Sequence, residues 1–354
     1  MKLWNYLQRE LCMDFAFAVG GMLVLCMPAI AVKAVHELSG VDIRAVLLLM
    51  PLLLANLMPY FLPLGYLLAV VVTYGRFAAD NEWTATRMAG IHPWRLIVPA
   101  LPMALILGAG TYWLVSEKLP DLRRQTGMYK WQALRETITH LSPGRTELHL
   151  GKFSLIAGFR ENDDFLQAVI YIPAMGGESA RTLACERVRF EFQGTEMIIH
   201  VTNGRIVEGD TDVQSQHLTL RLNLDELSTE TDRNYQSQKY LTSDRIREVL
   251  ADPAADPKRT DAMRFEVEQR TAVSTTYFMF LLLGIPTGLL LRRGTQLAAL
   301  SVAVGYALLY YLLSLRLGKQ LAMSQVVPPL VGAWVVNGLG VVSGFILMWR
   351  AFRQ

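Results

Sequence analysis

The chain is predicted to be an α-helical membrane protein with six transmembrane helices and an all-β, jellyroll-like domain inserted between the third and the fourth. Three observations predict it. Of its 354 residues 52% are hydrophobic and only 18% charged, against about 25% charged in ordinary soluble proteins. Six long stretches, residues 15–32, 45–75, 96–116, 271–291, 294–315 and 320–349, contain no Asp, Glu, Lys or Arg. Between the third and fourth of these, residues 118–258 hold 18 basic and 21 acidic residues, and their apolar residues alternate. The rest of the chain is basic, with 16 basic and 10 acidic residues, so the pI near 8.7 reflects membrane flanks, and no nucleic-acid partner is expected.

A helix crosses a bilayer with about 20 apolar residues, and one charge at its centre costs roughly 2.5–3.5 kcal/mol on insertion scales. Each charge-free run is therefore read as a span. The first begins like a signal peptide, with Lys2 and Arg9 before an apolar stretch ending Ala29-Ile30-Ala31. It is long for such a peptide, however, follows Glu10 and Asp14, and precedes five more spans, which favours a retained helix. The second run exceeds the need and contains Pro51, Pro59 and Pro63, which predicts a tilted or kinked helix with an interfacial first turn. Asn56 within it is expected to hydrogen-bond a neighbouring helix. Ahead of the fourth span, Arg264 with Glu268 and Glu266 with Arg270 are spaced to pair at i, i+4 on a solvated helix start.

Nine basic residues flank the spans on the side of the termini and four lie in the short loops opposite, which predicts cytoplasmic termini and an external insert. Cys185 is the one cysteine of that insert, so no internal disulfide is expected; it, Cys12 and Cys26 are read as packing residues. His217–Leu224 alternates strictly, and shorter runs at 146–150, 153–159, 165–173, 187–192 and 196–201 resemble it, giving seven or so strands of a sandwich or jelly roll. Turns are expected at Pro143-Gly144, Asn162–Asp164, Gly176-Gly177, Gln193-Gly194 and Asn203-Gly204. Residues 118–139 are read as a helix continuing the third span. Thr242-Ser243 caps a short helix to Leu250, and Asp252-Pro253 with Asp256-Pro257 mark a linker back to the membrane.

The loop between the second and third spans carries the most specific pattern. Asp80 or Asn81 can cap a short helix that Gly90 and Pro93 end. Trp83, Arg87 and Gly90 fall on one side and Glu82, Thr86 and Ala89 on the adjoining one. Such a helix suits a groove in another protein; equally, Trp83 and Trp94 could anchor it at headgroup level. Spacing does not choose between these.

Tyr74–Gly90, with Leu57-Met58-Pro59-Tyr60-Phe61-Leu62-Pro63-Leu64 before it, resembles the coupling-helix region of the lipopolysaccharide-export ABC permeases, the LptF/LptG (YjgP/YjgQ) family. Leu283-Gly284-Ile285-Pro286-Thr287-Gly288 followed by Arg292-Arg293-Gly294 is similar to that family's fourth span, and Tyr310-Tyr311-Leu312-Leu313 and Val327-Pro328-Pro329 also fit. The resemblance implies three transmembrane helices in residues 1–117 with a coupling helix about 78–91, a periplasmic β-jellyroll in 118–260, and three more transmembrane helices in 261–354. It implies a permease that passes lipopolysaccharide or a similar glycolipid from the bacterial inner membrane to a periplasmic jellyroll bridge protein. The partners it implies are a separate ABC ATPase dimer and a second permease subunit, a paralogue or another copy of the chain. By this resemblance Glu82 pairs with an arginine of the ATPase, with Trp83, Arg87 and Gly90 beside it on the coupling helix. Trp83 is bulkier than the residue expected there. Lys33 matches a basic residue that contacts lipid phosphate at the outer end of the first span, and Arg44 is a second candidate by location; ordinary snorkelling explains both equally well.

The chain has no G-x-x-x-x-G-K-[ST] loop, so energy must come from a partner. No cofactor or metal is expected: His36, His92, His140, His149, His200 and His217 lack ligand spacing, and no nucleophile elbow occurs, so the protein is not read as an enzyme. The alternative function is a non-transporting envelope scaffold that presents the β-domain to partners.

Overall fold

A computed structural model describes residues 2–37, 43–126, 129, 146–150, 153–161, 164–172, 181–193, 196–208, 211–223, 237–251, 257–291 and 296–353. The predicted turns at 143–144 and 176–177, much of the 118–139 helix, the 252–256 linker and Arg292-Arg293-Gly294 lie outside them. The chain divides into two units: residues 1–26, 57–120 and 241–354, and residues 27–56 and 121–240.

Among the described residues, six helices are long and apolar enough to cross a membrane. The first is α1 (Lys2–Glu37). The 45–75 run breaks at Asn56-Leu57 into α2 (Ile43–Ala55), too short to span, and α3 (Met58–Ala79). Asn56 Nδ2 donates to the Leu52 carbonyl at 3.0 Å and Oδ1 accepts from Arg123 Nε at 2.9 Å, so it stabilises the break and the helix extending the third span. After the short α4 (Glu82–Met88), the third span combines α5 (Pro93–Ile97), one 3-10 turn, α6 (Leu101–Trp113) and a π-helical turn Leu114–Lys118. Past the insert come α7 (Ser243–Leu250) and the fourth span, α8 (Pro257–Leu290). The fifth joins α9 (Gln296–Tyr311), a π-helical segment Leu312–Gly318 and α10 (Lys319–Met323), and the sixth is α11 (Pro329–Arg353).

The fourth span is the central helix of its unit, buried over most of its length, whereas the first is covered over little of its apolar stretch. The Gly284/Gly288 spacing explains this position. A Cβ on Gly288 would lie 2.7 Å from the Val71 carbonyl oxygen and 2.8 Å from the Gly75 nitrogen; one on Gly284 would lie 2.9 Å from Val70 Cγ1. Small residues let backbones meet where lipid supplies no hydrophobic drive between helices. Tyrosines add directional ties: Tyr66 and Tyr74 donate to the Ala100 and Leu96 carbonyls at 3.0 and 2.7 Å, and Tyr277 is 2.6 Å from Thr111 Oγ1.

The expected Glu266–Arg270 pair is present at 3.2 Å, but Arg270 is buried instead of solvated, because it also binds residues 241 and 243. Glu268 accepts from Trp334 Nε1 at 2.8 Å instead of pairing with Arg264.

The second unit contains one six-stranded antiparallel sheet: β1 (Thr146–Leu150), β2 (Phe153–Glu161), β3 (Asp164–Ile172), β4 (Arg181–Gln193), β5 (Glu196–Glu208) and β6 (Thr211–Asn223). Strand order follows sequence order, so the described strands form an up-and-down meander. Asn203-Gly204 is not a turn. It lies inside β5, with Asn203 at φ 50°. Pairing is skipped across a whole row, Gly158, Gln167, Glu186, Asn203 and Gln216, with Gln167 also at positive φ. The inward parity flips at that row, from Leu183 and Cys185 to Val188 in β4 and from Ile199 and Val201 to Gly204 in β5. Asn tolerates the left-handed region, so Asn203 accommodates an aligned gap in the pairing at which the strands keep their register while their inward parity flips. Cys185 packs there, its thiol 3.3 Å from the Ala168 carbonyl and pushed up to about 11 by burial.

Candidate functional site

Helix α4 is closed at both ends by backbone geometry. Asn81 enters it in the left-handed region, at φ 61°, and makes no side-chain cap. Gly90, at φ 79°, ends it: the Ile91 amide donates to the Thr86 carbonyl at 3.1 Å and the Gly90 amide to the Arg87 carbonyl at 3.0 Å, a Schellman stop that favours glycine. His92 then caps α5, its Nδ1 accepting from the Trp94 amide at 3.3 Å. The helix is shorter than the expected 78–91, because α3 continues through Ala79 and the left-handed residues bound α4 tightly.

Trp83 is 4% exposed. Its ring stacks on Phe352 at 5.9 Å and meets Phe77 edge-on at 6.5 Å, while Trp94 and Phe352 meet edge-on at 5.7 Å. Trp83 is thus covered within the chain instead of facing outward, and it fastens α4 to the ends of α3 and α11. Beside it is a cavity of about 400 Å³ lined by Thr84, Arg87, Met88, Leu289 and Ala351 among others. Glu82 is half-buried, Arg87 and Gly90 are exposed, and neither charged side chain forms an ion pair with a described residue. Glu82, Arg87 and Gly90 thus share one short anchored helix with an available polar surface.

Arg76, in the last turn of α3, pairs with Glu10 at 2.5 Å and Asp14 at 2.8 Å; Thr73 Oγ1 also donates to Asp14, at 2.7 Å. Sequence reading missed this tie between the first two spans. The signal was present: two acids at i, i+4 on the approach to a span require a cation. Phe352, the stacking partner of Trp83, carried no such signal. Lys33, near the end of α1, and Arg44, the second residue of α2, are exposed, belong to the unit that contains the sheet, and each already takes part in an interaction within the chain.

Six membrane-length helices with an anchored loop helix and an inserted β domain define a multi-pass membrane protein. The family model described as lipopolysaccharide export system permease LptF/LptG matches residues 5–350, and the chain belongs to that family. It is a multi-pass inner-membrane permease component of lipopolysaccharide export, a transport component and not an enzyme. No individual curated protein matches it.

Proposed function

We propose that the chain is the permease subunit through which a separate ABC ATPase dimer drives lipopolysaccharide out of the inner membrane, with both termini and α4 in the cytoplasm and residues 118–260 in the periplasm. The observation that carries this reading is α4 itself: Trp83 locks it to the bundle, while Glu82 and Arg87 keep charges available for a partner. In this reading Glu82 pairs with an ATPase arginine, and Arg87 and Gly90 complete the contact. A push on a helix fastened by Trp83 moves α3 and α11 with it. A second permease subunit faces this one to enclose the lipid between them, and the β-sheet hands the lipid to a periplasmic bridge protein.

Magnitudes divide the tasks. Each acyl CH₂ brought into water costs roughly 0.8 kcal/mol, so a multi-chain lipid needs an apolar route throughout. A basic residue beside a charged surface contributes about 1 kcal/mol. Lys33 and Arg44 therefore orient a phosphorylated headgroup but do not extract the lipid.

Glu82→Arg tests the coupling. Breaking an interfacial charge pair costs about 2 kcal/mol or more, roughly thirtyfold in affinity. The variant is expected to lose co-purification with its ATPase and stimulation of ATP hydrolysis, with the chain still inserted and monodisperse. Unchanged association and stimulation would refute the assignment.

A further inference from the structure

Among the described residues Arg270 is the bulkiest fully buried side chain, 1% exposed. Two of its nitrogens reach one short segment. Nη2 donates to the Leu241 carbonyl at 2.9 Å, Nη1 to Ser243 Oγ at 3.0 Å, and Nε to its own helix's Glu266 at 3.2 Å. That segment is further seated by Ile246, which is fully buried, and by Arg247, which donates to the Tyr112 hydroxyl at 3.1 Å. Two residues upstream a second guanidinium acts alike. In the other unit, Arg123 Nη1 donates to the Lys239 carbonyl at 3.0 Å while its Nε holds Asn56. The boundary between the two units falls between Tyr240 and Leu241. The carbonyls on either side of Tyr240 are thus each held by an arginine of their own unit. A buried ion pair is weak evidence for stability, since apolar packing serves stability as well; what such a pair can specify is one conformation.

Resting on the coupling reading above, we propose that Arg270 is a positioning residue for export. It makes Leu241–Leu250 a rigid part of the membrane unit, Arg123 does the same for Ser237–Tyr240 in the unit that contains the sheet, and movement of the bundle is delivered to the β domain through the link at Tyr240. Without the guanidinium, Leu241 and Ser243 lose their fixed partner and bundle movement dissipates in the segment.

The test uses the full chain in its complete complex, reconstituted with lipopolysaccharide in proteoliposomes, with a spin label at Glu248→Cys. Arg270→Met is expected to mobilise the label and reduce ATP-driven lipopolysaccharide departure by about threefold to thirtyfold, while ATP hydrolysis stays within about twofold. Ser243→Ala, which removes one of the hydrogen bonds from Arg270 to the segment, is expected to give a smaller loss of the same kind, and it carries the test if Arg270→Met does not assemble. Arg264→Gln, an exposed neighbour, is expected to change neither readout. Wild-type export, an immobile label, or a parallel fall in hydrolysis and export would overturn the proposal. If the unmodified complex shows no ATP-driven departure, the coupling reading fails instead, and label mobility still decides whether Arg270 fastens the segment.

Discussion

Glu82 and Trp83 are adjacent in sequence, yet a helix sets them about 100° apart, and α4 uses that angle to separate contact from anchorage. Trp83→Ala would remove the stacking on Phe352 and the edge contact with Phe77, a loss of about 3–5 kcal/mol for a buried indole. The expected outcome is faster hydrogen exchange in residues 82–91 and weakened ATPase stimulation, with the spans still folded. Sequence reading placed the residue on the right element but on the wrong side of it, because its partner Phe352 is 269 positions away and carries no local signal. Asp164 gives a prediction outside the membrane. Hydrogen bonding from Arg189, then the charges of Arg189 and Arg187, hold its carboxyl below the usual range. A depressed carboxylate stabilises the fold above its unfolded pKa of about 3.9 and loses that contribution as pH falls through the lower folded value. Asp164→Asn is expected to lower thermal stability at pH 7 and to remove part of its decline in acid, measured by intrinsic fluorescence in detergent.

At the scale of elements, the contact between α3 and α8 rests on missing side chains. Gly288→Val would press a Cβ against backbone at Val71 and Gly75, which cannot yield as a side chain would, and overpacking costs about 1–3 kcal/mol or more. A lower melting temperature is expected, whereas Gly110→Ala, with nothing within 4 Å of the new Cβ, is expected to leave it unchanged. The spans were legible because charge exclusion from lipid is a strong and local rule. What escaped was where that rule meets tertiary partners: Glu10 and Asp14 extend α1 past its apolar run because Arg76 pairs with them, and Asn56 breaks the second run with the help of Arg123. In the insert, alternation located the described strands but not their ends. Asn203-Gly204 satisfies hairpin chemistry, but the unbroken register with β4 and β6 on both sides of it places it inside one long strand.

For the molecule as a whole, the sequence pattern and the family membership agree on a permease of lipopolysaccharide export, and the account of its mechanism stands on topology: α4 must meet a cytoplasmic motor while the sheet receives lipid across the bilayer. Both sites are exposed enough to test in one protein. In a variant with Cys12, Cys26 and Cys185 replaced, a single cysteine at Asn203 is expected to react with a membrane-impermeant maleimide in intact spheroplasts, and one at Thr84 only after permeabilisation. Labelling of Thr84→Cys from outside, with Asn203→Cys protected until lysis, would contradict the account.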